Sequence, residues 1–187
     1  MARTEKKRHA WMSWDYEKEE RWLNELSAQG LHLTKGGAFS SEFERDETAR
    51  YTYGLDYQGG LTKKNGKLDE YIELYRDVGW EYVSTTSGIW HYFRRPWEPG
   101  ETPKLYTDRE SLVEHYKKIQ RVMAVVLLAN LAIVFANFTN IFSRLHGAMR
   151  WGVGVPVIFI YASLFALLGY GIAKMNKKIK ETGGEKI

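Results

Sequence analysis

The sequence predicts an α+β domain followed by a hairpin of two transmembrane helices. Three observations predict it. Two uncharged apolar runs lie in the last third of the chain, charge divides unevenly between the two parts, and the part before the runs carries a loose internal repeat.

The elements follow in order along the chain. A short aromatic strand is expected at residues 9–14, then a helix over about 15–29. Asp15 suits its N-cap, Glu17, Glu19 and Glu20 fall in its early turns, Trp22, Leu23 and Leu26 mark its apolar face, and Gly30 stops it. Glu17, Glu19, Glu20 and Glu25 read as a solvated helix face. Strands follow at LHLTK (31–35) and near residues 39–45, and RYTYGLDY (50–57) alternates as a half-exposed strand does. The loop QGGLTKKNGK has the composition of a flexible connection. A second helix over about 69–78 ends at Gly79, and WEYVS and IWHYFRR close the domain as strands.

The halves match at an offset of 49 residues: Trp22 and Leu23 correspond to Tyr71 and Ile72, Leu26 to Tyr75, Gly30 to Gly79, Leu31 to Trp80, Leu33 to Tyr82, Phe43 to Tyr92, and Arg45 to Arg94. Each half reads strand–helix–strand–strand. A duplicated βαββ unit predicts a mostly antiparallel sheet with two helices on one face, a sandwich of the ferredoxin-like kind. Residues 1–107 form this domain, the segment after Pro96 being an extended linker with Pro99, Gly100 and Pro103.

Asp108 can cap a juxtamembrane helix over 108–121 that nothing interrupts before the first run. Residues 122–142 and 151–173 are free of charge, and runs of that length cover the roughly 30 Å of a bilayer's hydrocarbon core. Residues 143–150 connect them and 174–187 form a basic tail. Averages hide this division: mean hydropathy is −0.45 and the pI about 9.1. Residues 1–115 hold 17 Lys and Arg against 21 Asp and Glu, whereas residues 116–187 hold 10 against 2. A nucleic-acid-binding domain carries its positive charge on itself, so that class is not expected.

Lys117, Lys118 and Arg121 precede the first run and Lys174, Lys177, Lys178 and Lys180 follow the second, against Arg144 and Arg150 in the connecting loop. This asymmetry is expected to put both termini in the cytoplasm, with the protein in the cell's plasma membrane. The charged start of the chain offers no apolar export signal, so the soluble domain is expected on the same side. The same cations suit anionic lipid headgroups. Asn130 and Asn137 share a face of the first span with Ala129, Ala132 and Ala136, and Ala162 and Ala166 give the second span small-residue spacing. These faces suit packing within the hairpin, self-association or a membrane partner.

EERWLNELSAQGLHL, DEYIELYRDVGWEYV with IWHYFRRP, and LYTDRESLVEHYKK leading into two spans together resemble the bacterial membrane-protein family catalogued as domain of unknown function 2812. The resemblance runs from Lys7 to about Lys180. Leu31 departs from the tryptophan that the second repeat has at Trp80. Members are often encoded beside PadR-type transcriptional regulators, which implies a role in a membrane-stress or small-molecule response. The resemblance implies no catalytic residues.

The residues themselves agree. There is no cysteine, hence no thiolate chemistry. His9, His32, His91, His115 and His146 have no ligand spacing, although His32 and His91 lie in strands that can approach. Gly36-Gly37 and Gly59-Gly60 read as turn glycines, not a phosphate loop. No metal, cofactor or catalytic group is expected. The aromatic load is the unusual feature: Tyr51, Tyr53 and Tyr57 share one strand face, Trp90 and Tyr92 another, with Arg94 beside them. Filling of the core accounts for most such rings, and a part-exposed platform would suit a ligand or protein partner. The expected function is a non-enzymatic sensor or adaptor, the alternative a small accessory subunit of a membrane complex such as a transporter.

Overall fold

The structure is a computed structural model describing residues 4–61, 66–101, 103–144, 147 and 150–184. The chain divides into two compact units, Met1–Ser111 and Leu112–Ile187.

The first unit runs β1 (Glu5–Arg8), a 3₁₀ turn (Ser13–Asp15), α1 (Tyr16–Ser27), β2 (Leu31–Lys35), β3 (Ser40–Arg45), β4 (Tyr51–Tyr57), α2 (Lys67–Arg76), β5 (Glu81–Thr86) and β6 (Trp90–Pro96). It is a mixed α+β arrangement, and its strands form two three-stranded antiparallel sheets, ordered β1-β3-β2 and β4-β6-β5, rather than one. α1 buries Leu23 and Leu26 and leads to Gly30 at φ 73°, and the chain after α2 turns at Gly79 at φ 86°. Glycine carries no penalty in that left-handed region, which ends the helix and turns the chain back into a strand.

The first strand is displaced from the expected one. Residues 5–8 pair with β3, and the ladder is prolonged only by the His9 amide on the Phe39 carbonyl at 3.0 Å. His9 and Trp11 instead set their rings 5.2 and 6.2 Å from that of Trp22, which meets Phe43 edge-on at 5.6 Å. Ring packing over α1 takes these residues out of the ladder.

The expected solvated face of α1 holds at Glu25, which is exposed, and is corrected at Glu19 and Glu20. β4 is an edge strand, and its outward amides are satisfied by α1 side chains: Tyr51 N–H donates to Ser27 Oγ at 2.7 Å, Tyr53 N–H to Asn24 Oδ1 at 2.7 Å and Leu55 N–H to Glu20 Oε1 at 2.8 Å. Helix spacing of four and three residues matches a strand spacing of two, so one polar stripe meets every second amide. An exposed edge is thereby covered. Glu19 is buried beside this stripe.

The two sheets are tied along a seam. Leu33 N–H of β2 donates to Tyr53 Oη at 2.9 Å, and Gly36 N–H donates to Ser84 Oγ of β5 at 2.9 Å. Gly36 does more than turn the chain: a Cβ there would lie 2.6 Å from the Tyr92 ring.

The second unit holds most of α3 (Arg109–Arg144), a π-helical turn (Arg150–Gly154) and α4 (Val155–Gly183). Both helices are long and apolar enough to cross a membrane, each containing a window of mean hydropathy 2.1. Their apolar side chains face outward, Phe135 being 85% and Phe159 73% exposed. At the other end Gln120 donates to Asn176 at 2.6 Å, Lys178 lies over the Tyr116 ring at 5.3 Å, and Ile119, Met123 and Met175 are buried. Most of the expected connecting loop, residues 143–150, and His146 with it, lies outside the described residues.

Candidate functional site

β6, the central strand of the second sheet, organises the candidate site. Its register sets Tyr57 opposite Trp90, Leu55 opposite Tyr92 and Tyr53 opposite Arg94. Tyr51, Tyr53, Tyr57, Trp90, Tyr92 and Arg94 therefore share one face, as strand alternation requires.

That face is covered, not open. Tyr53, Tyr57 and Tyr92 are 3, 5 and 3% exposed, beneath α1 and the β2 seam. Tyr16 of α1 sets its ring 5.6 Å from Trp90, which in turn meets Tyr57 edge-on at 5.0 Å. The physical reason is the polar stripe that docks α1 on the edge of β4. Burial pushes the Tyr53 hydroxyl up to about 12. Tyr51 and Arg94 are part-exposed at the margin, Arg94 stacking over the Tyr51 ring at 4.3 Å while both its Nε and Nη2 reach Glu81 at 3.0 Å. The expected platform is thus core at Tyr53, Tyr57 and Tyr92 and surface only at its rim.

Tyr92 donates to Glu19 Oε1 at 2.8 Å. Burial raises the Glu19 carboxyl to about 7, the Tyr92 bond working in the opposite direction.

The opposite face carries a concentrated polar group. Asp56, 2% exposed, accepts from Tyr71 and Tyr75 of α2 at Oδ2, the latter at 3.0 Å, and from Tyr106 at Oδ1. Burial first, and the Asp56 charge second, push all three phenols well above their ordinary value. Such phenols hold their protons at neutral pH and act as donors; a carboxylate, which only accepts, is the matching centre. Beside Asp56, the Cα of Gly54 is where Leu105 seats, a Cβ there lying 2.6 Å from Leu105 Cγ and 3.3 Å from the Trp80 ring. The segment after Pro96 is therefore no free spacer: Leu105 and Tyr106 pack on the sheet. Tyr71 and Tyr75 stand at helical spacing on the core side of α2, and Asp56 lies on the strand face opposite the tyrosines. That pattern was available in the sequence; the arrival of Tyr106 was not.

His32 and His91 do not form a pair. His32 bonds Ser27 Oγ and the Asp46 carbonyl within the first half, and His91 bonds Thr85 Oγ1 and the Gln58 carbonyl in the second sheet. Burial lowers the His91 pKa, so that ring works as a neutral structural link. Among the described residues no group of three His, Asp or Glu side chains is placed to hold a metal ion. A surface cavity of about 600 Å³ lies between α2 and β5, lined by Asp69, Ile72, Glu73, Arg76, Trp80 and Tyr82 among others.

In α3 the side-chain amides of Asn130 and Asn137 donate to the carbonyls of Val126 and Ile133, one turn back, at 2.9 and 2.8 Å. Ala132, Ala136, Ala162 and Ala166 are exposed on their helices. The basic residues cluster at the ends of the apolar stretches: Arg121 pairs with Glu114 and Lys177 with Glu181, each at 3.7 Å, while Lys117 and Lys180 are exposed, and Lys118, Lys174 and Lys178 are half-buried.

These features define a class: an α+β unit followed by two helices long and apolar enough to cross a membrane. The chain belongs to the family described as protein of unknown function DUF2812, whose family model matches residues 15–128, from the start of α1 into α3. No curated protein and no solved structure gave a match.

Proposed function

We propose that the chain is a membrane-anchored, non-enzymatic sensor or adaptor of the bacterial plasma membrane, its α+β unit cytoplasmic and both termini inside. The observation that carries this reading is α3, one helix from Arg109 to Arg144 that begins at the edge of the α+β unit and contains the first apolar stretch. A helix continuous through both is a means of passing a tilt or rotation between a ligand-binding unit and a membrane. The charge asymmetry about the apolar stretches supports the orientation.

The α+β unit we read as a duplicated βαββ module of the ferredoxin-like kind. Two observations support this. Each sheet sets its third strand between the first and second, and each ladder shifts register at a corresponding point, between Leu33 and Lys35 in one half and Tyr82 and Ser84 in the other. The pairing puts Phe93, rather than Tyr92, where the first half has Phe43, both fully buried.

With the aromatic face covered, one binding surface among the described residues is the cavity between α2 and β5, whose volume falls in the usual range for small-molecule sites, roughly 300–1,000 Å³. The family's implied link to PadR-type regulators fits a small-molecule or membrane-stress signal. A second reading, an accessory subunit acting through its spans, is favoured by Asn130 and Asn137: amides in an apolar helix, with their side-chain oxygens unbonded among the described residues, suit a partner helix.

Crosslinking in cells followed by purification in mild detergent tests the two. Ile72→Glu should abolish capture of a partner under the first reading, and Asn130→Leu with Asn137→Leu under the second. Reporter fusions at Gly147 and at the C-terminus test orientation; an external C-terminus overturns it.

A further inference from the structure

We propose that Leu105 and Tyr106 form a releasable clasp that couples α2 to the start of α3. The inference rests on the reading of the α+β unit as one that signals to its helices, and it supplies the route. Tyr106 stands three residues before the first residue of α3, whose first turn is capped by Asp108 accepting from Ser111 N–H at 2.7 Å. Its hydroxyl is held by Asp56, the same carboxylate that holds Tyr71 and Tyr75 of α2. Leu105 fills the space that the missing side chain of Gly54 leaves against Trp80. Trp80 and the α2 residues Ile72, Glu73 and Arg76 also line the cavity between α2 and β5. A shift of α2 or Trp80 thus disturbs both grips on the segment that leads into α3: the polar one through Asp56 and the apolar one through Leu105. All three donors are positioned by one buried carboxylate, so a move of Asp56 that follows the loss of one donor displaces the others.

The clasp has features that a mere core contact lacks. Two of its donors come from a helix beside a cavity, and the third comes from the connection to the apolar helices. A buried carboxylate left with fewer donors is a strained centre, which favours all-or-none release over gradual loosening.

Hydrogen exchange of the full chain in lipid nanodiscs, read by mass spectrometry on peptides covering residues 104–111, tests it. Tyr106→Phe should speed exchange there about ten- to a hundredfold, the loss expected of one hydrogen bond to a charged group. Tyr71→Phe, which reaches the segment through the shared cluster of Asp56 and Tyr75, should speed it in the same peptides by several-fold, while peptides from β2 and β3 keep the parent rate. Unchanged exchange in Tyr106→Phe overturns the clasp, and so does a Tyr71→Phe effect confined to α2. Acceleration of every peptide in Tyr106→Phe overturns it too, since the cluster is then plain core. None of these readouts requires a partner, so failure here leaves the crosslinking result standing on its own.

Discussion

The hydroxyl of Tyr92, in the middle of β6, donates to Oε1 of Glu19, in the first turns of α1, at 2.8 Å across 73 residues of sequence. This bond joins the helix to the aromatic face that it covers. It also places an ionisable acid where its charge is poorly solvated.

Burial raises the Glu19 pKa from 4.5 to about 7. Below the unfolded value both states hold the proton, and the full contribution to stability is present. As pH rises from there to the folded value, the unfolded chain gives up its proton first, so stability is lost. Over that window the loss is on the order of 3 kcal/mol. Glu19→Gln keeps an acceptor for Tyr92 and abolishes the titration. His9 and His91, both pushed down by burial, titrate alike in the two proteins. The variant's gain over the parent should therefore grow between about pH 5 and 7 and level off above, measured by thermal melts. A difference independent of pH would show that Glu19 ionises normally.

Gly54→Ala brings a Cβ within 2.6 Å of Leu105 Cγ. Overpacking of this kind costs roughly 1–3 kcal/mol. Leu105→Ala in the same chain should recover part of that loss although it is destabilising alone, since the two changes meet at one contact. Additive losses in urea titrations would mean that the glycine is required for another reason.

Gly37→Ala presents a harder clash, because the obstacle 2.2 Å from its Cβ is the Ser40 carbonyl oxygen, which is backbone. The β2–β3 turn must shift to admit it. By contrast, among the described residues an added Cβ at Gly59 meets only Ile89, at 3.7 Å. Gly37→Ala should lower the melting temperature by several degrees, with little change in Gly59→Ala.

What the residues alone disclose follows from which forces are local. The two apolar stretches, the stops at Gly30 and Gly79 and the shared face of Tyr51, Tyr53 and Tyr57 each follow from period or backbone chemistry within one element, and each is legible. The covering of that face is not local. It depends on α1 docking against β4, which is decided by Ser27, Asn24 and Glu20 finding strand amides, and polar residues on a helix read by default as solvent-facing. The completion of the Asp56 cluster was hidden for the same reason: its third donor, Tyr106, comes from 50 residues away. The division into two sheets likewise rests on which strands pair, a long-range choice that alternation alone does not make.

The α1 stripe yields the last prediction. Asn24→Ala leaves the Tyr53 N–H, in a buried strand, without its acceptor, which costs about 1–3 kcal/mol. Asn24→Asp retains an acceptor in the same place and should cost less. Ser27→Ala should exceed Asn24→Ala, because Ser27 Oγ serves both the Tyr51 amide and His32 Nδ1. The order Ser27→Ala, then Asn24→Ala, then Asn24→Asp, measured by urea unfolding, separates edge capping from helix propensity. Propensity alone favours alanine at both positions and predicts stabilisation by Ser27→Ala and Asn24→Ala. If the two alanine variants prove more stable than the parent, the stripe is not what holds α1 to β4.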